Sequence, residues 1–185
     1  MFVKPVFVAT ALLSVVLMAV AGGTLPAGAQ GAGAPCREAP GGDALDFWLG
    51  TWDVYDNGQP VGANHIESAL DGCAVFEHWV NAAGAEGKSL FAFSAATGVW
   101  TQLWVTDNTS WPGSIKLKRH QGPHDDGSVR FQTTVEKADG SHYLDRTTLT
   151  PVPDGTVRQV IEISLDDGKT WQTMFNAEYR RQTTP

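Results

Sequence analysis

The residues of this chain best suited to chemistry sit at strand spacing. Glu77 and Trp79 lie two positions apart, and so do Trp100, Gln102 and Trp104 in succession. In an extended strand each such set occupies one face. Arg146 likewise shares a face with His142 and Leu144, and Glu162 shares one with Arg158. Turned inward, these faces would form aromatic walls carrying a few charged and amide groups, the usual make-up of a small-molecule pocket. Trp79, Trp100 and Trp104 would supply contact area, while Glu77, Gln102 and Arg146 would orient a ligand. On the same scaffold an enzyme would use Glu77 as a buried general acid or base and Arg146 as an anion stabiliser. The alternatives are that these faces turn outward and are solvated, or that Glu77 and Arg146 form a buried structural ion pair across the barrel.

The remaining motifs point away from catalysis. The run Ser164-Leu165-Asp166-Asp167-Gly168-Lys169-Thr170-Trp171 fits the Asp-box pattern of sialidase-like propellers. It occurs once, whereas propellers repeat it, so it reads as a hairpin device. Glu77 and Glu162 would make a glycosidase-like carboxylate pair only at a suitable separation. His120 and His124, followed by Asp125 and Asp126, carry a metal-like spacing that converges on a helix. Gly122 and Pro123 preclude that helix, and no metal is assigned. His142, the one late-strand histidine, lacks the surroundings of a haem ligand, and no cofactor is assigned. Nucleophile-elbow, phosphate-loop and HExxH motifs are absent. Asn108-Thr109-Ser110 is a glycosylation sequon, with meaning only in a eukaryotic secretory route.

The elements that must position these residues are marked by turns. Asn57-Gly58, Asp71-Gly72, Gly84 to Gly87, Thr97-Gly98, Pro112-Gly113, Asp126-Gly127, Asp139-Gly140, Asp154-Gly155 and Asp167-Gly168 recur along the chain. Such pairs supply the positive φ that tight hairpins need. The segments between them are rich in β-branched and aromatic residues and alternate in polarity: Phe131, Thr133 and Val135 oppose Gln132, Thr134 and Glu136. About ten strands joined by short turns predict an antiparallel meander, and closure into an up-and-down barrel removes its two open edges. A two-layer sandwich would need long crossings that the spacing does not provide. Residues 44–50 contain Leu45, Phe47, Trp48 and Leu49 and predict one helical or 3₁₀ turn plugging an end of the barrel.

The N-terminus has its own composition. Lys4 is the only charge in residues 1–29, an apolar run follows it, and Ala27-Gly28-Ala29 suits signal peptidase. Residues 1–29 therefore read as a secretory signal, 30–43 as a flexible leader, and 44–185 as the barrel domain. Loss of Lys4 leaves 12 Lys and Arg against 20 Asp and Glu, a net charge of −8. That balance disfavours nucleic acid and anionic lipid as partners. Two cysteines, Cys36 and Cys73, in an exported chain predict one disulfide tying the leader to the barrel. Closing that loop contributes about 3–4 kcal/mol.

Several segments together resemble a bacterial family of lipocalin-like domains of unknown function. The opening Leu45-Asp46-Phe47-Trp48-Leu49-Gly50-Thr51-Trp52-Asp53-Val54 is similar to the family's FDFWLGxWDV signature. Gly72-Cys73-Ala74 with Glu77 and Trp79 resembles its GCAxxExW segment, and Thr97 to Val105 its TGxWxQxWV hairpin. Arg146 with Thr148 to Pro151 resembles its RxTxTP segment. Val157-Arg158-Gln159, Glu162 and Ser164 resemble its last hairpin. The family often carries Asn and Tyr-Asp where this chain has Leu90 and Phe93-Ser94. The resemblance implies a lipocalin-like barrel and brings no activity with it. The expectation is thus a secreted or periplasmic barrel that binds a small, largely apolar molecule. An enzyme on the same scaffold, or an envelope protein with a filled barrel, are the alternatives.

Overall fold

The computed structural model describes residues 36–183. Short hydrogen-bonded turns and ten strands account for nearly all of them. The strands are β1 (Gly50–Asp56), β2 (Gln59–Ala69), β3 (Ala74–Asn81), β4 (Glu86–Ser94), β5 (Val99–Thr106), β6 (Ile115–His120), β7 (Val129–Glu136), β8 (His142–Pro151), β9 (Val157–Ser164) and β10 (Gln172–Arg181). Each pairs antiparallel with its neighbours in sequence, and β1 pairs with β10 from Trp52↔Arg181 to Asp56↔Ala177. The sheet is therefore a closed barrel, as the turn spacing predicts, and the sandwich does not form. The expected secretory signal, residues 1–29, lies outside the described residues.

The turn chemistry explains the meander. Asn57 and Gly58 both adopt positive φ (49° and 76°), the type I′ geometry that matches strand twist and returns β1 directly into β2. Asp167 and Gly168 also adopt positive φ, 57° and 87°, within the longer connection from β9 to β10. There Asp166 Oδ1 accepts from Ser164 Oγ at 2.8 Å and from the Thr170 N–H at 2.9 Å, while Trp171 Nε1 donates to the Gly168 carbonyl at 3.1 Å. The Asp-box is thus a hairpin device here.

The interior divides into two regions. Toward the N-terminal arm it is packed solid by Leu45, Trp48, Trp52, Phe91, Phe131, Leu149, Val157 and Tyr179. Trp48, on a 3₁₀ turn at Asp46–Trp48, meets Phe91 edge-on at 5.7 Å and Tyr179 at 6.2 Å. Its carbonyl accepts from Trp52 Nε1 at 2.8 Å. Edge-to-face contacts of this kind add to the burial of large aromatic surface. Residues 36–43, expected as a flexible leader, form a hydrogen-bonded run of turns, and the Gly41 carbonyl accepts from Trp100 Nε1 at 2.8 Å. Cys36 and Cys73 form the expected disulfide.

One ladder is short. β6 and β7 pair only at Arg119↔Gln132 and His120↔Phe131, so residues 115–118 lack strand partners on that side. The alternation of β6 is also inverted: Lys116 and Lys118 point inward and are buried, whereas Ile115 and Leu117 are exposed. Leu117 aligns with Leu103, Leu90 and Phe76 across β5, β4 and β3, forming an apolar row on the outer surface.

Candidate functional site

Beyond the packed region the barrel holds a cavity of about 490 Å³. Strand alternation decides its lining. On β3 the inward residues are Glu77 and Trp79, on β5 Gln102 and Trp104, and on β6 Lys116 and Lys118. On β8 they are Tyr143, Asp145 and Thr147, on β9 Gln159, Ile161 and Ile163, and on β10 Phe175 and Tyr179. The lining changes character with depth. Glu77, Gln102, Lys118, Asp145, Thr147, Gln159 and Tyr179 are all buried. Trp111, Leu165 and Met174 are exposed and form part of an apolar rim.

Two glycines make room for the indoles. A Cβ on Gly87 would stand 2.1 Å from the Trp104 ring, and one on Gly62 would stand 2.6 Å from the Trp79 ring. Each indole thus lies against bare backbone of a neighbouring strand, a close approach only glycine permits.

The floor contains two polar clusters. In the first, Glu77 Oε1 accepts from Asn64 Nδ2 at 2.8 Å and Oε2 accepts from Ser89 Oγ at 2.6 Å. Ser89 Oγ in turn accepts from Gln102 Nε2 at 2.9 Å. Tyr179 Oη donates to Gln159 Oε1 at 2.8 Å and accepts from Asn64 Nδ2 at 3.3 Å. In the second, Lys116 Nζ donates to Asp145 Oδ2 at 2.9 Å, and Lys118 Nζ pairs with Asp145 Oδ1 and donates to Thr147 Oγ1 at 2.6 Å. Gln102 Oε1, Asn64 Oδ1 and Tyr143 Oη are buried without a hydrogen-bond partner among the described residues.

Burial shifts the acidities of these groups. It pushes the Glu77 carboxyl up, against the opposing pull of the Ser89 and Asn64 hydrogen bonds and the lysine charges. It pulls the Lys118 ammonium down to about 8, although Asp145 holds it up. For Asp145 burial acts upward, but the charges of Lys118 and Lys116 and their hydrogen bonds outweigh it, and the carboxyl lies below its ordinary range. The hydroxyls of Tyr143 and Tyr179 are both raised, chiefly by burial.

Of the residues singled out from sequence, the structure brings Glu77, Trp79, Gln102 and Trp104 together around the cavity. Trp100 also points inward but belongs to the packed region, against Phe93 at 5.2 Å. Arg146 and Glu162, expected at the pocket, do not line the cavity. They occupy the outer face, where Arg146 Nε and Nη2 lie 3.0 and 2.8 Å from Glu162 Oε2. The Arg146 guanidinium lies 3.7 Å over the Trp171 ring. The cause is strand parity: Asp145 and Thr147 take the inward positions of β8, so their neighbour Arg146 must face out. Glu77 and Glu162 therefore lie on opposite faces of the wall and make no facing carboxylate pair. His120 packs on Phe131 at 5.7 Å, and His142 pairs with Asp167 on the surface at 3.0 Å.

Sequence reasoning missed Lys116, Lys118, Asp145 and Tyr143. In Ile115-Lys116-Leu117-Lys118 the alternation is plain, but hydrophobicity assigns the wrong face to the interior. A usable signal exists on β8, where Tyr143 and Leu149 share their face with Asp145 and mark it as inward.

The chain matches no protein-family model and no curated protein.

Proposed function

We propose that this protein is an exported, lipocalin-like barrel that binds a small, largely apolar molecule. The observation that carries the reading is a cavity with an exposed apolar rim above a buried, hydrogen-bonded polar floor. A volume of about 490 Å³ lies within the usual range of ligand pockets and weighs against a filled structural barrel. Glu77 has both oxygens engaged by Asn64 and Ser89, which favours binding over acid–base catalysis. The 3₁₀ turn bearing Trp48 acts as the plug of the closed end, so ligand enters past Trp104 and Trp111. The Cys36–Cys73 bridge supports an oxidising compartment, periplasm or medium, reached through the signal at residues 1–29. The motifs shared with the lipocalin-like family support the same assignment. Its acidic surface favours a small-molecule partner over nucleic acid or an anionic membrane.

Native mass spectrometry of the secreted protein tests this directly. A non-covalent small-molecule adduct, lost on substituting Trp104→Ala, is the expected result. A protein that carries no adduct and takes up none from a panel of apolar compounds overturns the reading.

A further inference from the structure

Resting on the binding reading above, we propose that the ligand is an amphipathic organic anion carrying a single charge. Its head sits at Lys116 beside Trp111 and Tyr143, and its apolar body runs along Trp79, Trp104 and Phe175.

Charge balance leads to this assignment. The chain as a whole is acidic, with a formal charge of −7. Its cavity is the reverse: Lys116, Lys118 and Lys137 line it against Glu77 and Asp145, three positive groups against two negative, a surplus of +1. A buried ammonium without a counter-charge is costly, and proteins place one inside only when something answers it. Asp145 answers one of the two floor lysines, because Lys116 and Lys118 share that single carboxylate. Glu77, the other buried carboxyl, is hydrogen-bonded by Asn64 and Ser89 rather than by a lysine, so among the described residues the second ammonium has no ion-pair partner of its own.

Local geometry selects Lys116 as the docking point. Lys118 already has two acceptors, Asp145 and Thr147, and is the more deeply buried of the two, 2% exposed against 7% for Lys116. Lys116 Nζ has one carboxylate oxygen as its acceptor, and its other neighbour is the Trp111 ring, 5.1 Å away. Two of its three N–H donors are free for a ligand. Tyr143 belongs to the same corner. A Cβ on Gly113 would meet the Trp111 ring at 2.8 Å and Tyr143 Oη at 3.0 Å, so glycine lets the three crowd together. The Tyr143 hydroxyl is buried with no partner, and an anion at Lys116 would provide the acceptor it lacks. Lys137 Nζ, 5.8 Å from the Tyr143 ring, adds to the positive potential. A surplus of one charge matches a carboxylate or sulfonate. A dianion would over-compensate it, a cation would be repelled, and a neutral head would leave it unanswered.

The test compares two pairs of probes that differ only at the head: laurate with 1-dodecanol, and 2-naphthoate with 2-naphthylmethanol. Each is titrated by calorimetry into the secreted full chain at near-neutral pH. In at least one pair the acid should bind roughly tenfold or more tightly than its alcohol, as expected for a hydrogen-bonded charge. Lys116→Met should abolish that difference. Tyr143→Phe, which deletes only an unpartnered oxygen and spares the fold, should cut it several-fold. It keeps the test decisive if Lys116→Met fails to fold. Equal affinity of acid and alcohol overturns the anion assignment while leaving the binding reading standing. A difference unchanged in the folded variants overturns the placement of the head. No binding by any probe overturns the inference, and the native mass spectrum then decides the binding reading separately.

Discussion

Lys116 Nζ on β6 lies 2.9 Å from Asp145 Oδ2 on β8, joining two strands that have β7 between them. The link falls where the wall is weakest, since β6 and β7 share only the pairs Arg119↔Gln132 and His120↔Phe131. Missing ladder hydrogen bonds are offset there by charge-assisted ones inside the barrel.

Asp145→Asn should therefore be severe. It removes the one carboxylate that pairs with the buried Lys116 and Lys118, at a cost of about 3–5 kcal/mol. The expected result is a large drop in the urea midpoint with little change in slope, and faster amide exchange in β6. A loss below about 1 kcal/mol would show that the cluster is solvated in solution.

Glu77 makes stability depend on pH with a definite sign. Its folded pKa is raised above the ordinary 4.5, so above that value the folded state retains a proton that the unfolded chain has released. Stability then falls as pH rises through this window. Lys118 acts later: between its folded value of about 8 and the ordinary 10.5, the unfolded chain binds the extra proton and stability rises with pH. Melting temperatures of Glu77→Gln should lose the first slope and keep the second. A variant whose pH profile overlays the wild type would remove Glu77 as the cause.

Gly87→Ala probes the cavity wall. The new Cβ would meet the Trp104 ring at 2.1 Å, and the indole must swing away. Weaker ligand binding and a shifted tryptophan emission are expected, with far-ultraviolet circular dichroism unchanged. Wild-type affinity would mean that Trp104 does not contact ligand.

Arg146→Ala separates the two faces of β8. Its partners, Glu162 and Trp171, lie on the outer surface, so stability should fall by about 1 kcal/mol through lost cation–π and ion-pair contacts. Ligand affinity should stay within a factor of about two, well below one lost charged hydrogen bond. A tenfold loss of affinity in this variant would return Arg146 to the binding site.

The amino-acid sequence by itself determined the strands and their order. Asn57-Gly58 and Asp167-Gly168 encode positive φ locally, and the alternation of Phe131 and Val135 with their polar neighbours encodes extended chain. Consecutive short hairpins leave a meander little choice but to close. What only the tertiary structure decided was which face of each strand turned in. A period of two labels two faces without naming the inner one, and on β8 the only local hint was that Tyr143 and Leu149 share the face of Asp145 while Leu144 shares that of Arg146. Closure fixed that choice collectively. Tyr143 and Leu149 carried Asp145 inward, and its carboxylate made buried positions tolerable for Lys116 and Lys118 while Ile115 and Leu117 went to the surface. Long-range charge pairing across the hollow, absent from any local pattern, set the polarity of the site.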